Sequence, residues 1–258
     1  MRQKFIAPPI IKKEGFEYHG CHSYSEYNYL QKSFISSIKR RHFDIVLDLT
    51  SKYFYKTNVI DFGCADGIFL PTLSFYFCSV LGIERNKNSI LIAQKMIDEL
   101  SLKNVIIVDN EIESINKIKK EYIKKDYGII FLLEVLEHIG TSYQTMYEDK
   151  ITFLKEIFSL VENTGIIVLS VPKMVGISFF IQSVGLSVFN LTSSEYSFKE
   201  LIKPILFKDT SDIEKYWVPD YTHKGFNHKK LERYLEREFF IVNKIDDFFQ
   251  VLYVIKQR

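Results

Sequence analysis

Two rhythms of apolar and polar positions alternate along this chain. Short stretches are apolar almost throughout, as in Tyr127–Leu133 (YGIIFLL) and Gly165–Val171 (GIIVLSV). Between them, apolar residues return at steps of three and four. The first pattern fits strands buried on both faces and the second fits amphipathic helices. Residues 25–52 read as helical, with Tyr27, Leu30, Phe34, Ile38, Ile45 and Leu49 on one side. Strands follow at Asn58–Asp61, Val80–Glu84, Asn104–Val108 (ending at Asp109), Tyr127–Leu133 and Gly165–Val171, the last stopped by Pro172. Helices near Ile68–Phe77, Lys87–Leu100 and Tyr143–Leu160 separate them; the last carries Met146, Ile151, Leu154, Ile157 and Phe158.

After residue 172 the rhythm changes. Asn227 can cap a helix reaching Glu238, and Phe239–Ile245 and Phe248–Ile255 read as two late strands. Their short connection, Asp246 and Asp247, predicts an antiparallel hairpin at a sheet edge. The expectation is an α/β fold: a doubly wound, seven-stranded, mostly parallel sheet with a lid insertion after strand five. The expected divisions are an N-terminal arm and helix (1–52), a core (53–172), a lid or substrate insertion (173–222), and a C-terminal helix and hairpin completing the core (223–258).

Composition narrows this little but usefully. Hydrophobic residues make up 47% and charged residues 26% of the 258, which excludes a disordered chain. With 34 Lys+Arg against 32 Asp+Glu the net charge is +2, too small for a long-range field toward nucleic acid. Cys21, Cys64 and Cys78 are odd in number and lack CxxC spacing, so neither a disulfide framework nor a zinc ribbon is expected. Pro8 and Pro9 break the apolar run near the N-terminus, which fails as a signal peptide. Met174–Ser194 lacks charge but contains glycines, serines, Gln182 and Asn190, too polar for a transmembrane span. A cytoplasmic location is the expectation.

Candidate chemistry begins where the first strand runs into Asp61-Phe62-Gly63-Cys64-Ala65-Asp66-Gly67. Gly63 permits a tight turn, and Gly67 lets the next helix approach a ligand or the sheet. A nicotinamide fingerprint would add a middle glycine, which this loop lacks. Glu84 closes the second strand, where a carboxylate can accept hydrogen bonds from ribose hydroxyls. An ordinary strand-to-helix turn explains the glycines alone, but not the acids Glu84 and Asp109 at successive strand ends. Cys64 reads as a small loop residue and Cys78 as core.

In combination, DFGCADG, GIERNKNSILIA, IIVDNE, FLLEVLEHIG and GIIVLSVPK resemble class I S-adenosylmethionine (SAM)-dependent methyltransferases, over residues 57–172 and more loosely over 222–256. The resemblance implies a Rossmann-like fold and SAM as cofactor. It implies that Asp61, Gly63, Cys64 and Gly67 line the methionine end and Glu84 the ribose. Arg85 would flank the adenine, Asp109 would sit near its amino group, and Leu133 would join the cofactor-binding set. Ala65 departs from the glycine more usual there.

Glu134, Glu137 and His138 follow the fourth strand at steps that put all three on one face of a helical turn. Two chemistries stay open: general base catalysis by His138 with the two glutamates, or a divalent metal that acidifies a bound hydroxyl. Glu-Val-Leu-Glu-His is similar to the ExxEH segment of ubiquinone-pathway O-methyltransferases. It also resembles small-RNA 2′-O-methyltransferases, in which that segment and a later histidine bind magnesium. That resemblance implies Mg2+ on Glu134, Glu137, His138 and His223, with His228 ranked behind. The same segment also occurs without a metal, shaping the pocket floor.

Other signals are weaker. His19, Cys21 and His22 read as loop residues. Tyr24, Tyr27 and Tyr29 either fold over the cofactor or pack on the core. Apolar residues of Met174–Leu191, such as Phe179 and Phe180, form a packed lid, or else an apolar acceptor channel or a lid in peripheral membrane contact for a lipid-like substrate. The expected enzyme moves a methyl group to oxygen, ahead of nitrogen or carbon, on a small-molecule or lipid-like acceptor. RNA 2′-O-methylation stays open because basic and histidine residues cluster between His223 and Arg233. A non-catalytic interaction protein on the same fold is the third reading.

Overall fold

The computed structural model describes residues 4–11, 24–32, 34–110, 114–123, 126–181, 200, 202–219 and 223–258. Seven strands are present: β1 (Asn58–Phe62), β2 (Ser79–Glu84), β3 (Val105–Asp109), β4 (Tyr127–Leu133), β5 (Ile166–Pro172), β6 (Phe239–Asp246) and β7 (Gln250–Gln257). They form one sheet in the order β3-β2-β1-β4-β5-β7-β6. β1 pairs in parallel with both β2 and β4, and β2 with β3. β7 runs antiparallel to β5 and β6, as the hairpin expectation required, although Asp247, Phe248 and Phe249 make the connection. The main helices among the described residues are α1 (Phe34–Thr50), α2 (Leu70–Tyr76), α3 (Lys87–Glu99), α4 (Ile115–Glu121), α5 (Met146–Phe158) and α6 (His228–Glu238).

The chain divides into two compact units, Met1–Phe131 with Leu160–Gly165, and Leu132–Ser159 with Ile166–Arg258. In the first unit the chain winds outward from β1 through β2 to β3, then returns to β1's other side as β4. The C-terminal end of β1 therefore lies at a topological switch point, where open α/β sheets bind ligands. Val59, Ile60, Leu81, Ile83, Ile129, Ile130 and Phe131 are buried along these strands, as parallel sheets covered on both faces require. Asn86 caps α3 by accepting from the Ser89 N–H at 3.0 Å.

In the second unit β7 is buried along most of its length, whereas β6 is largely exposed at the sheet edge. α6 begins as expected: Asn227 Oδ1 accepts from the backbone of Lys229 and Lys230. α5 turns Met146, Tyr147, Lys150, Ile151, Leu154, Ile157 and Phe158 inward.

Three expectations are corrected. The helix over 25–52 is interrupted: a π-helical turn spans Glu26–Leu30, Gln31 is extended, and α1 starts at Phe34. Its buried face is His42, Phe43, Val46, Leu47 and Thr50, rotated from Ile38, Ile45 and Leu49, which are half-buried. Cys78 is exposed; the chain bends after α2, so Phe77 turns inward and Cys78 outward. His19, Cys21, His22 and residues 182–191 of the apolar stretch lie outside the described residues, as does Thr222. No helix among the described residues is long and apolar enough to cross a membrane.

Candidate active site

The first unit holds a cradle built mainly of backbone. β1 delivers Asp61, and the chain then turns through Gly63–Gly67, with the Gly63 and Cys64 N–H groups both donating to the Ile83 carbonyl. Gly67 has φ +86°, a backbone conformation that glycine adopts and other residues take only with strain, and a Cβ there would also press on the tip of Met96. Ala65 adopts φ +49°, a left-handed conformation that costs a non-glycine residue on the order of 1 kcal/mol. Its N–H donates to Glu84 Oε2 at 2.8 Å. Glu84 Oε1 accepts from the Arg85 and Asn86 N–H groups, both at 2.8 Å. Glu84 is thus fixed by three backbone donors and fixes the turn in return.

Asp61 is buried, and its Oδ2 has no hydrogen-bond partner among the described residues. Burial, reinforced by the neighbouring Glu84 carboxylate, pushes its pKa up to about 7. An unsatisfied acid of this kind invites a cationic group. Cys64 is buried, and burial with the carboxylates of Asp61 and Glu84 holds its thiol protonated, which removes it as a nucleophile. Asp109 is half-buried at the end of β3, in register with Glu84, and Arg85 is exposed beside it. Seven of the expected cofactor residues therefore gather at the ends of β1, β2 and β3. The eighth, Leu133, ends β4 in the second unit.

Asp66 adds a contact that the sequence reading does not single out. Its carboxylate accepts from the Ser25 N–H at 2.8 Å and from the Ser25 hydroxyl, tying the segment carrying Tyr24, Tyr27 and Tyr29 to the glycine turn.

The second unit holds a cluster built of side chains. Glu134 takes φ +56°, and its N–H donates to both the carbonyl and the hydroxyl of Ser170 at 3.1 Å. Only Leu136–His138 form a helical turn, of 3-10 type, so the expected single face for Glu134, Glu137 and His138 does not exist. Glu137, His138 and His223 come together instead, their side-chain donor atoms all within 4.8 Å of one another, and Glu134 stands outside that set. His138 Nε2 and His223 Nε2 are 3.0 Å apart, and His223 Nε2 lies 3.9 Å from Glu137 Oε1.

Glu137 is fully buried, and neither carboxylate oxygen is hydrogen-bonded among the described residues. Burial first, and the Glu134 charge second, push it well above the usual carboxylate range; Lys150 opposes them. His228 is buried at the start of α6, away from this set; burial first, and the cations of Lys229 and Lys173 after it, lower its pKa to about 4. Two imidazole nitrogens and one carboxylate do not fit Mg2+, which takes oxygen ligands in near-octahedral geometry.

Comparison with known proteins agrees with this architecture. A family model described as a methyltransferase domain matches residues 34–238. A ubiquinone biosynthesis O-methyltransferase from Pelagibacter ubique is 26% identical over 191 residues; the match covers 74% of this chain and 65% of that protein's length. Among solved structures, a protein from Pyrococcus horikoshii aligns with a TM-score of 0.56 at 12% identity, covering 90% of this chain and 96% of that one. The N-methyltransferase NodS of Bradyrhizobium japonicum, in complex with S-adenosyl-L-homocysteine (SAH), aligns at 0.53 and 12% identity, covering 88% and 90%. With the family model spanning most of the chain, this protein belongs to the methyltransferase-domain family of class I SAM-dependent methyltransferases.

Proposed function

We propose that the protein transfers the methyl group of SAM to a hydroxyl oxygen of a small-molecule acceptor, with the His138–His223 pair taking the proton. The observation that supports this reading is the pair itself. Two neutral imidazoles with facing Nε2 atoms 3.0 Å apart hold one proton between those atoms, so a further proton taken up at an Nδ1 can be relayed across the pair. Glu137 stands beside the pair, its Oε1 3.9 Å from His223 Nε2. In the cradle, the Asp61 carboxylate receives the SAM ammonium and Glu84 a ribose hydroxyl; Arg85 and Asp109 border the adenine.

The acceptor O–H loses its proton to the pair, the oxygen attacks the methyl carbon in line, and the C–S bond electrons leave on sulfur to give SAH. Chemistry of this kind draws its rate from positioning and proton removal. Oxygen ranks first because a proton acceptor is built into the cluster and because the Pelagibacter relative is an O-methyltransferase. No step uses Mg2+, given the poor fit of the donor set to that ion.

Titration with SAH and a radiolabelled-SAM screen of catechols, phenols and hydroxylated lipids test the proposal, each in excess chelator. Micromolar SAH binding with label transferred to a phenolic oxygen is expected. Transfer only to amines, or activity abolished by chelator, overturns it. RNA enters the screen as the alternative acceptor.

A further inference from the structure

α5 carries a lysine on its core face. Lys150 is fully buried between Met146, Tyr147, Ile151 and Leu154, positions that are otherwise apolar. An ammonium in such a place is unstable unless its protons and its charge are answered. One of its protons is answered by the Ile139 carbonyl, which accepts from Nζ. Its charge is answered by the Trp217 ring, whose centroid lies 4.4 Å from Nζ, and by Phe226 at 5.7 Å. Trp217 in turn donates its indole N–H to the Glu137 carbonyl at 3.0 Å. Gly140, at φ +145°, makes room for this ring: a Cβ there would stand 2.8 Å from Trp217 Cη2.

The carbonyls of residues 137 and 139 are therefore both held, one by the indole and one by the ammonium stacked on it. They flank His138 on either side. The remaining feature is Glu137 itself, buried with neither carboxylate oxygen hydrogen-bonded among the described residues. Lys150 and Glu137 act on each other electrostatically, each favouring the other's charged form against burial.

We propose that Lys150 is a positioning residue: with Trp217 it clamps the Leu136–His138 turn through two carbonyls and so fixes where Glu137 and His138 stand beside His223. Its importance for methyl transfer rests on the proton-relay reading above; the clamp itself does not. Burying a lysine is a poor route to stability, since apolar replacements of buried charges are commonly neutral or stabilising. A positioning role accounts for a cation where packing alone favours methionine or leucine.

The test uses Lys150→Met and Lys150→Arg in the full chain. Trp217 is the single tryptophan, so one indole N–H resonance reports on the clamp without any acceptor. In Lys150→Met we expect indole hydrogen exchange to accelerate by about ten-fold or more while SAH affinity stays within about two-fold, because the turn opens locally. Lys150→Arg should restore most of the protection. With an acceptor from the screen, Lys150→Met should lower kcat by about ten-fold or more with the KM for SAM unchanged.

Unchanged indole exchange in Lys150→Met overturns the clamp. Normal kcat beside faster exchange overturns the positioning role. If Lys150→Met does not fold, the wild type decides: a slowly exchanging lysine ammonium resonance with a cross-relaxation contact to the indole ring is expected, and its absence overturns the proposal. A failed acceptor screen leaves the spectroscopic arms intact, so loss of the functional reading and loss of the clamp are distinguishable.

Discussion

The cradle of the first unit and the cluster of the second answer opposite problems. In the cradle, backbone N–H groups do most of the work, and the side chains that matter are carboxylates at strand ends. In the cluster, the backbone serves to hold side chains: Ser170 fixes the backbone of Glu134, Trp217 and Lys150 hold the turn, and the groups brought together are Glu137, His138 and His223, to which the proposed function assigns the chemistry. A site made of backbone is set by the course of the chain. A site made of side chains is set by which residues arrive from distant segments. Cofactor class is therefore a property of the fold here, and acceptor chemistry a property of a few positions.

That contrast can be broken from either side. The largest effect is expected at the cluster: His223→Asn should lower kcat by about a hundred-fold or more, the usual worth of a general base, with SAH affinity unchanged. Steady-state kinetics and calorimetry on one preparation check both halves. A comparable loss of SAH binding would show that the two regions are not separable.

Glu84→Ala comes next and acts on the other side. Three backbone donors lose their acceptor, and SAH affinity should fall by about thirty- to a hundred-fold, corresponding to roughly 2–3 kcal/mol. The His138 and His223 resonances should not move.

Asp61→Asn sharpens the comparison through pH. The acid titrates near 7 when folded and near 3.8 when unfolded, so between those values the native protein holds the extra proton. Stability therefore falls as pH rises from about 4 to about 7, and above 7 the full penalty is present, on the order of 4 kcal/mol. Asp61→Asn should flatten that slope and raise the melting temperature at pH 8, while weakening SAH binding. A melting temperature that keeps the wild-type pH slope would refute the assignment. Smallest of all, Ala65→Gly should relieve a left-handed residue and shift stability upward by no more than about 1 kcal/mol, read by thermal melting.

The same contrast explains what the sequence made legible. Strand positions follow from apolar runs and their punctuation: Pro172 ends β5, Asn227 caps α6, Glu84 and Asp109 end β2 and β3, and Asp61 stands one residue before the end of β1. α4 escapes because Ile118 is its single buried residue among lysines, so no periodicity exists to find. Cys78 is misplaced because a bend, not a pattern, decides which of two adjacent residues turns inward. The cluster is half legible. Glu137, His138 and His223 are visible as residue types, but the left-handed Glu134 that removes one carboxylate from the set is not. Lys150 leaves one sequence trace: a cation on the core face of an otherwise apolar helix stripe.

The Ser25–Asp66 contact joins residues 41 apart in sequence, and Asp66 belongs to the same five-residue turn that Glu84 braces. A ligand that quiets this turn lowers the cost of seating the segment around Ser25, and a seated segment lowers the cost of binding by the same factor. For a cofactor that quiets this turn, its coupling to attachment of the N-terminal segment is one free energy readable at two places: as a rise in protease resistance near Ser25 on binding, and as the affinity lost when the chain is cut there.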